Sequence, residues 1–88
     1  MSKSAREMFE ELGYEETNIY DNIIHYEKID TTDDIPIYSC IEFVTDSKSI
    51  RCFKCINDRN HYCAYNRLDP TTLRAIIKKC KELGWLDE

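Results

Sequence analysis

Helix start and stop signals stand near both ends of the chain, and they limit its fold more than any other feature. Ser4 and Glu7 have the spacing of a capping box, in which each side chain binds a backbone N–H at the helix start. Gly13 follows an apolar stripe and can supply the left-handed residue that ends many helices. Asp69 opens a second helix as an N-cap, and Gly84 ends it. The sequence therefore predicts one short amphipathic helix at each end.

The stretch between these helices has the pattern of β-strands. Ile23–Ile29 is rich in Ile and Tyr, and Ile35–Val44 alternates apolar and polar residues. Thr45–Lys48 predicts a tight turn, so that Ser49–Ile56 forms a hairpin with the strand before it. His61–Tyr65 predicts either a short fourth strand or an irregular loop.

Together the elements predict an α+β fold in the order α-β-β-β-(β)-α. The short connections, including a polar one at Asp30–Asp34, favour an antiparallel sheet of three to four strands. We expect both helices to pack on one face of that sheet, within a single domain spanning residues 1–88. The helical residues expected in the core are Met8, Phe9, Leu12, Leu73, Ile76, Ile77 and Leu83.

Charge is distributed unevenly along the chain. The net charge is −5, but residues 1–46 hold 12 acidic and 3 basic residues, whereas residues 47–88 hold 5 acidic and 9 basic ones. Glu10 and Glu11 lie where the dipole of the first helix disfavours anions, and Glu15 and Glu16 follow. These four glutamates are the candidate partner-binding residues, with a solvated acidic face as the alternative.

The five cysteines predict free thiols, because an odd number cannot pair fully within one chain. Free thiols, together with the absence of an apolar leader or an apolar stretch of 18 residues, predict a cytoplasmic protein without a membrane span. Cys52, Cys55, His61 and Cys63 offer zinc-ligand types. However, Cys52 and Cys55 would point to opposite faces of a strand. We therefore expect no metal, no cofactor and no catalytic residue.

The basic half of the chain suggests a different function, the binding of single-stranded nucleic acid. Such proteins combine cations that follow the phosphates with rings that stack on bases. The residues with these properties are Arg51, Lys54, Arg59, His61, Tyr62, Tyr65 and Arg67, and Arg74, Lys78 and Lys81 of the last helix could extend them. The overall acidity opposes this interpretation, because phosphate binding depends on charge neutralisation.

The first helix, Ala5–Tyr14, and the closing Glu82–Trp85 carry a resemblance. They are similar to the ends of small uncharacterised proteins encoded by phages and prophages of Gram-positive bacteria. That resemblance implies a phage-related α+β domain and assigns no functional residue, and small acidic phage proteins often inhibit host enzymes or defence systems. We expect a non-enzymatic interaction module, monomeric or homodimeric, that binds a host or phage protein, with the nucleic-acid-binding protein as the alternative.

Overall fold

The structure is a computed structural model, and it describes residues 3–32, 34–57, 62–65 and 67–86. The described elements are α1 (Ala5–Glu11), β1 (Glu15–Tyr20), β2 (Ile23–Thr32), β3 (Ile35–Val44), β4 (Ser49–Ile56), β5 (Tyr62–Tyr65) and α2 (Pro70–Glu82). The chain divides into two compact units. A helical unit comprises Met1–Gly13 and Leu68–Glu88, and a sheet unit comprises Tyr14–Arg67.

Both ends of α1 and α2 form as the sequence predicts. Ser4 Oγ accepts from the N–H of Glu7 at 3.1 Å, and the Glu7 carboxylate accepts from the N–H of Ser4 at 3.0 Å, which completes the capping box. The pKa of Glu7 is lowered chiefly by its hydrogen bond from the Ser4 backbone. At the start of α2, Asp69 accepts from the N–H of Thr72 at 2.7 Å. The predicted helix signals are therefore confirmed.

The end of α2 is a complete Schellman motif. Gly84 has φ +77°, and its N–H donates to the carbonyl of Lys81. The N–H of Trp85 donates to the carbonyl of Cys80 at 2.8 Å. These two bonds satisfy carbonyls that a helix end otherwise leaves without donors.

The sheet is antiparallel throughout, and its strands lie in the order in which they occur in the chain, β1-β2-β3-β4-β5. Short turns join β1 to β2, β2 to β3 and β3 to β4, and Asp34 and Lys48 adopt the left-handed backbone that such turns need. The Thr45 side chain and N–H both donate to the carbonyl of Asn22, so the β1–β2 and β3–β4 turns meet at one end of the sheet. Two helices with this sheet constitute the predicted α+β fold.

The sheet departs from the prediction in two places. A fifth strand, β1, was not expected and pairs along the edge of β2. In addition, β2 continues to Thr32 and reduces the expected polar connection at Asp30–Asp34 to two residues. The strand at residues 61–65, for which a loop was the alternative, forms over Tyr62–Tyr65.

Apolar residues on one face of the sheet form the core of the sheet unit. Tyr26, Ile41 and Phe43 are fully buried, and the rings of Tyr26 and Phe43 meet edge to face with centroids 6.0 Å apart. The Tyr26 hydroxyl donates to the carboxylate of Glu16 at 2.7 Å, which satisfies its polar end. The alternation predicted for Ile35–Val44 thus brings Ile41 and Phe43 of β3 to one buried face.

The helical unit buries a different set of residues from the one predicted. Phe9 and Ile76 are buried as expected, and Met8, Leu12 and Leu83 are half-buried. The prediction was wrong for Leu73 and Ile77, which are 45% and 39% exposed. The face of α2 that is buried instead carries Thr72, Ala75, Ile76 and Cys80.

Candidate functional site

A row of buried polar side chains crosses the face of the sheet opposite Tyr26 and Ile41. Antiparallel register sets His25 of β2 opposite Glu42 of β3, and Glu27 of β2 opposite Cys40 of β3. Directly opposed residues project from the same face of a sheet, so these four side chains lie together. All four are buried, which is unusual for charged residues unless they are paired.

Hydrogen bonds connect this row across three strands. His25 Nδ1 lies 2.8 Å from Glu42 Oε2, and His25 Nε2 lies 3.4 Å from Glu27 Oε1. The other oxygen of Glu42 accepts from the guanidinium of Arg51 on β4. Because an ionised carboxylate only accepts hydrogen bonds, the Nδ1–H of His25 donates to Glu42, and Nε2 of the same ring faces the carboxylate of Glu27.

The row includes the thiol of Cys40, and the thiol of Cys55 adjoins it. Cys40 and Cys55 are both buried, and the Cys55 side chain is within hydrogen-bonding contact of Cys40. Burial, and next the proximity of Cys55, raise the pKa of Cys40 to about 12. In this environment Cys40 remains a protonated thiol at neutral pH and is a poor nucleophile.

The predicted cysteine and histidine cluster is only partly described. Cys52 faces Ile41 and Cys55 faces Tyr38, so the two thiols lie on opposite faces of β4 as expected. His61 and the side chain of Cys63 lie outside the described residues. Cys40, Cys52, Cys55 and Cys80 form no disulfide bond, and all of them except the half-buried Cys52 are buried.

The four glutamates proposed for partner binding are divided between the two units. In the helical unit, Glu10 pairs with Arg6 at 3.8 Å and Glu11 pairs with Lys3 at 2.5 Å. In the sheet unit, Glu15 is exposed on the edge strand, whereas the half-buried Glu16 accepts from Tyr26. Their role in binding stays a prediction.

The basic and aromatic residues are also divided. Arg51 is bound to Glu42, and Lys54 projects from the other face of β4. Arg59, His61 and the side chains of Tyr62 and Tyr65 lie outside the described residues. Arg67 is exposed.

In the helical unit, the cations of α2 lie along an open groove of about 390 Å³ between the two helices. Met8 and Ile77 form its apolar part. The charged residues that line it are Lys3, Arg74, Lys78 and Lys81. Neither the groove nor the buried row was predicted from the sequence.

A sequence signal for the buried row does exist. His25-x-Glu27 and Cys40-x-Glu42 are two i, i+2 pairs on strands that were both predicted, and i, i+2 residues share a face. Bringing the two pairs together requires the register between the strands. The turn of a hairpin fixes the register of its two strands. Because the sequence indicated a longer polar connection at Asp30–Asp34, it did not predict this register.

These features define an α+β protein with a buried, mixed-charge row in its sheet and a cationic groove in its helical unit. Neither α1 nor α2, the helices of the described chain, has the length and apolar character needed to cross a membrane. Comparison with family models, with curated proteins and with solved structures found no match to this chain.

Proposed function

We propose that the chain is a non-enzymatic protein-interaction module whose helical groove binds an acidic, amphipathic segment of a partner protein. The observation that carries this proposal is the groove itself, in which apolar side chains are bordered by four cations. The partner is a host or phage protein and the setting is the cytoplasm. An origin in a phage or prophage belongs to the same proposal, through the resemblance of the two helix ends.

The apolar part of the groove supports a protein partner. Ile77 lines the groove, Leu73 lies one turn away from it on α2 outside the lining, and both side chains are substantially exposed. Covering such side chains stabilises a complex by about 25 cal/mol for each Å² of apolar surface removed from water. The apolar residues of an amphipathic helix recur with the same spacing, so they can follow this row.

The charged border of the groove selects an acidic partner. Arg74 and Lys81 line one continuous groove together with Lys3, which is already paired with Glu11. Opposite charges across an interface raise the association rate and exclude like-charged partners, and the effect is screened over about 10 Å at 0.1 M salt. A short acidic segment meets this local positive surface, although the whole chain carries a net charge of −5.

Nucleic acid fits the groove less well. Proteins that bind single strands stack bases on aromatic rings. Among the described residues that line the groove, the apolar ones are Met8 and Ile77, and no ring is present. A long polyanion would also encounter the net negative charge of the chain.

The test uses a synthetic helical peptide with leucines at i, i+3, i+4 and i+7 and glutamates on its other face. We expect saturable binding to the labelled protein, with NMR shift changes at Met8, Ile77 and Lys81. Lys78→Glu and Ile77→Gln should each weaken binding by about tenfold or more, which corresponds to about 1.4 kcal/mol. Both positions are on the surface of α2, so circular dichroism should show an intact fold.

Matched controls distinguish this surface from the others. The controls change the same residue types elsewhere, with Lys48→Glu in the β3–β4 turn and Ile35→Thr at the exposed start of β3. Both should leave binding unchanged. A peptide of identical composition but scrambled order should bind more weakly.

Equal binding of both peptides would refute the proposal, as would preferential binding of a basic peptide that is lost on reversing the charges of Glu10 and Glu11. Tight binding of single-stranded DNA at about 50 mM salt, lost in Arg67→Ala, would favour the alternative function.

A further inference from the structure

Three metal-binding side chains meet in the interior of the sheet unit. One potential ligand atom from each of His25, Glu27 and Cys40 lies within 4.8 Å of the other two. The thiol of Cys55 adjoins Cys40. We propose that these residues form a binding site for Zn²⁺ or a chemically similar divalent transition metal.

The spacing of the ligand atoms suits a small metal ion. Zn²⁺ binds His nitrogen and carboxylate oxygen at about 2.0–2.2 Å and Cys sulfur at about 2.3 Å, so ligand atoms in a tetrahedral site are about 3.4–3.8 Å apart. His25 Nε2 and Glu27 Oε1 are already 3.4 Å apart. The group spans up to 4.8 Å, so closing it around an ion requires movements of about 1 Å by the side chains.

The hydrogen bond behind His25 supports the same conclusion. Metal-binding histidines usually donate their second ring N–H to a carboxylate, which fixes the ring and its tautomer. The Glu42 carboxylate occupies this position at 2.8 Å from Nδ1, and Arg51 holds Glu42 from its other side. The ring is thereby oriented with Nε2 towards Glu27.

The ligand types select the class of metal. Thiolate and imidazole favour Zn²⁺ and related transition ions, whereas Mg²⁺ and Ca²⁺ require oxygen ligands. Each cysteine that binds the ion loses its S–H proton to solvent, so two coordinated thiols release two protons per ion. The S–H bond breaks, a metal–sulfur bond forms, and no oxidant or reductant takes part.

The experiment titrates chelator-treated, reduced protein with Co²⁺, a spectroscopic substitute for Zn²⁺. We expect one equivalent to produce thiolate-to-cobalt charge-transfer absorption together with the visible bands of a tetrahedral site. One equivalent of Zn²⁺ should then abolish both signals. With Zn²⁺ the midpoint of thermal unfolding should rise, because an ion that binds only the folded state stabilises it.

Variants locate the site. Cys40→Ser should remove most of the charge-transfer absorption, and His25→Gln should lower the affinity by at least about 100-fold. Glu42→Gln keeps every ligand and should lower it by about 10- to 100-fold, as loss of such a supporting carboxylate does. The matched controls Cys52→Ser, on the opposite face of β4, and Cys80→Ser, in the helical unit, should bind as the parent chain does.

Binding by the parent chain decides the proposal even where Cys40→Ser does not fold. Absence of the charge-transfer band at one equivalent would overturn it. So would a band that persists in Cys40→Ser but disappears in Cys52→Ser, because that result would place the metal at Cys52 instead of Cys40. Confirmation would correct the expectation of no metal drawn from the sequence.

Discussion

Replacing Phe9 with alanine should lower the free energy of unfolding by about 3–5 kcal/mol, the usual range for a buried Phe. The ring has no exposed surface, so its removal loses the full burial of an aromatic side chain and leaves a cavity. A chain of 88 residues has a total stability of about 5–10 kcal/mol. The variant should therefore show a much lower urea midpoint, measured by far-UV circular dichroism.

Ile77→Ala provides the matched comparison on the other helix. Sequence periodicity places Ile77 in the core, where truncation costs about 2–5 kcal/mol. In the structure the side chain is 39% exposed, and the loss should be below about 1 kcal/mol. A loss at Ile77 equal to that at Phe9 would contradict the open groove, since it would mean that the side chain is buried.

The ends of α1 and α2 were predictable because their signals are local. A capping box, a Pro at the first helical position and a Gly at C′ each act over three or four residues, and the structure contains all of them. The buried face of α2 was less predictable. Hydrophobic periodicity predicts that Ile77 is buried like Ile76, and it does not predict burial of Thr72. In the structure Thr72 is buried and Ile77 is exposed. Small or polar residues become buried where tertiary packing brings another element close, and this is not encoded in a residue's own hydropathy.

The strands with clear apolar or turn signals were predictable. β3 and β4 form with the predicted bounds, because Ile41 and Phe43 mark a buried face of β3 and the Thr45–Lys48 turn marks the start of β4. β1 was missed because Glu15–Tyr20 contains two Glu and an Asn, which are depleted in strands. As an edge strand it is held by pairing with β2 alone, and that pairing depends on the register of its partner.

The buried row was missed for a related reason. The sequence showed His25 as one of two isolated histidines, with no motif around it. Its partners are Glu42, 17 residues away, and the neighbouring Glu27. Contacts across strands appear only when the strand pairing is known, because a shift by one residue moves every side chain to the opposite face.

Glu42 is the residue on which the stability of this row most depends. It lies on β3 and binds His25 of β2 and Arg51 of β4. Glu42→Ala should lower the free energy of unfolding by about 2–3 kcal/mol, because it leaves a buried ring N–H without its acceptor. Urea unfolding in the presence of a chelator measures this loss without any contribution from bound metal.

Two further variants separate the buried contact from the exposed one. The Arg51 side chain is 58% exposed, so Arg51→Ala should cost no more than about 1 kcal/mol, as expected for an ion pair open to water. Glu42→Gln retains an acceptor oxygen, so its loss of unfolding free energy should lie between those of Glu42→Ala and Arg51→Ala. In a double-mutant cycle, Glu42→Ala and His25→Gln should show a coupling of about 0.5–3 kcal/mol, because the two side chains share one buried hydrogen bond. Additive effects of the two substitutions would mean that the 2.8 Å contact contributes nothing to stability. The buried row would then not stabilise the pairing of β2, β3 and β4.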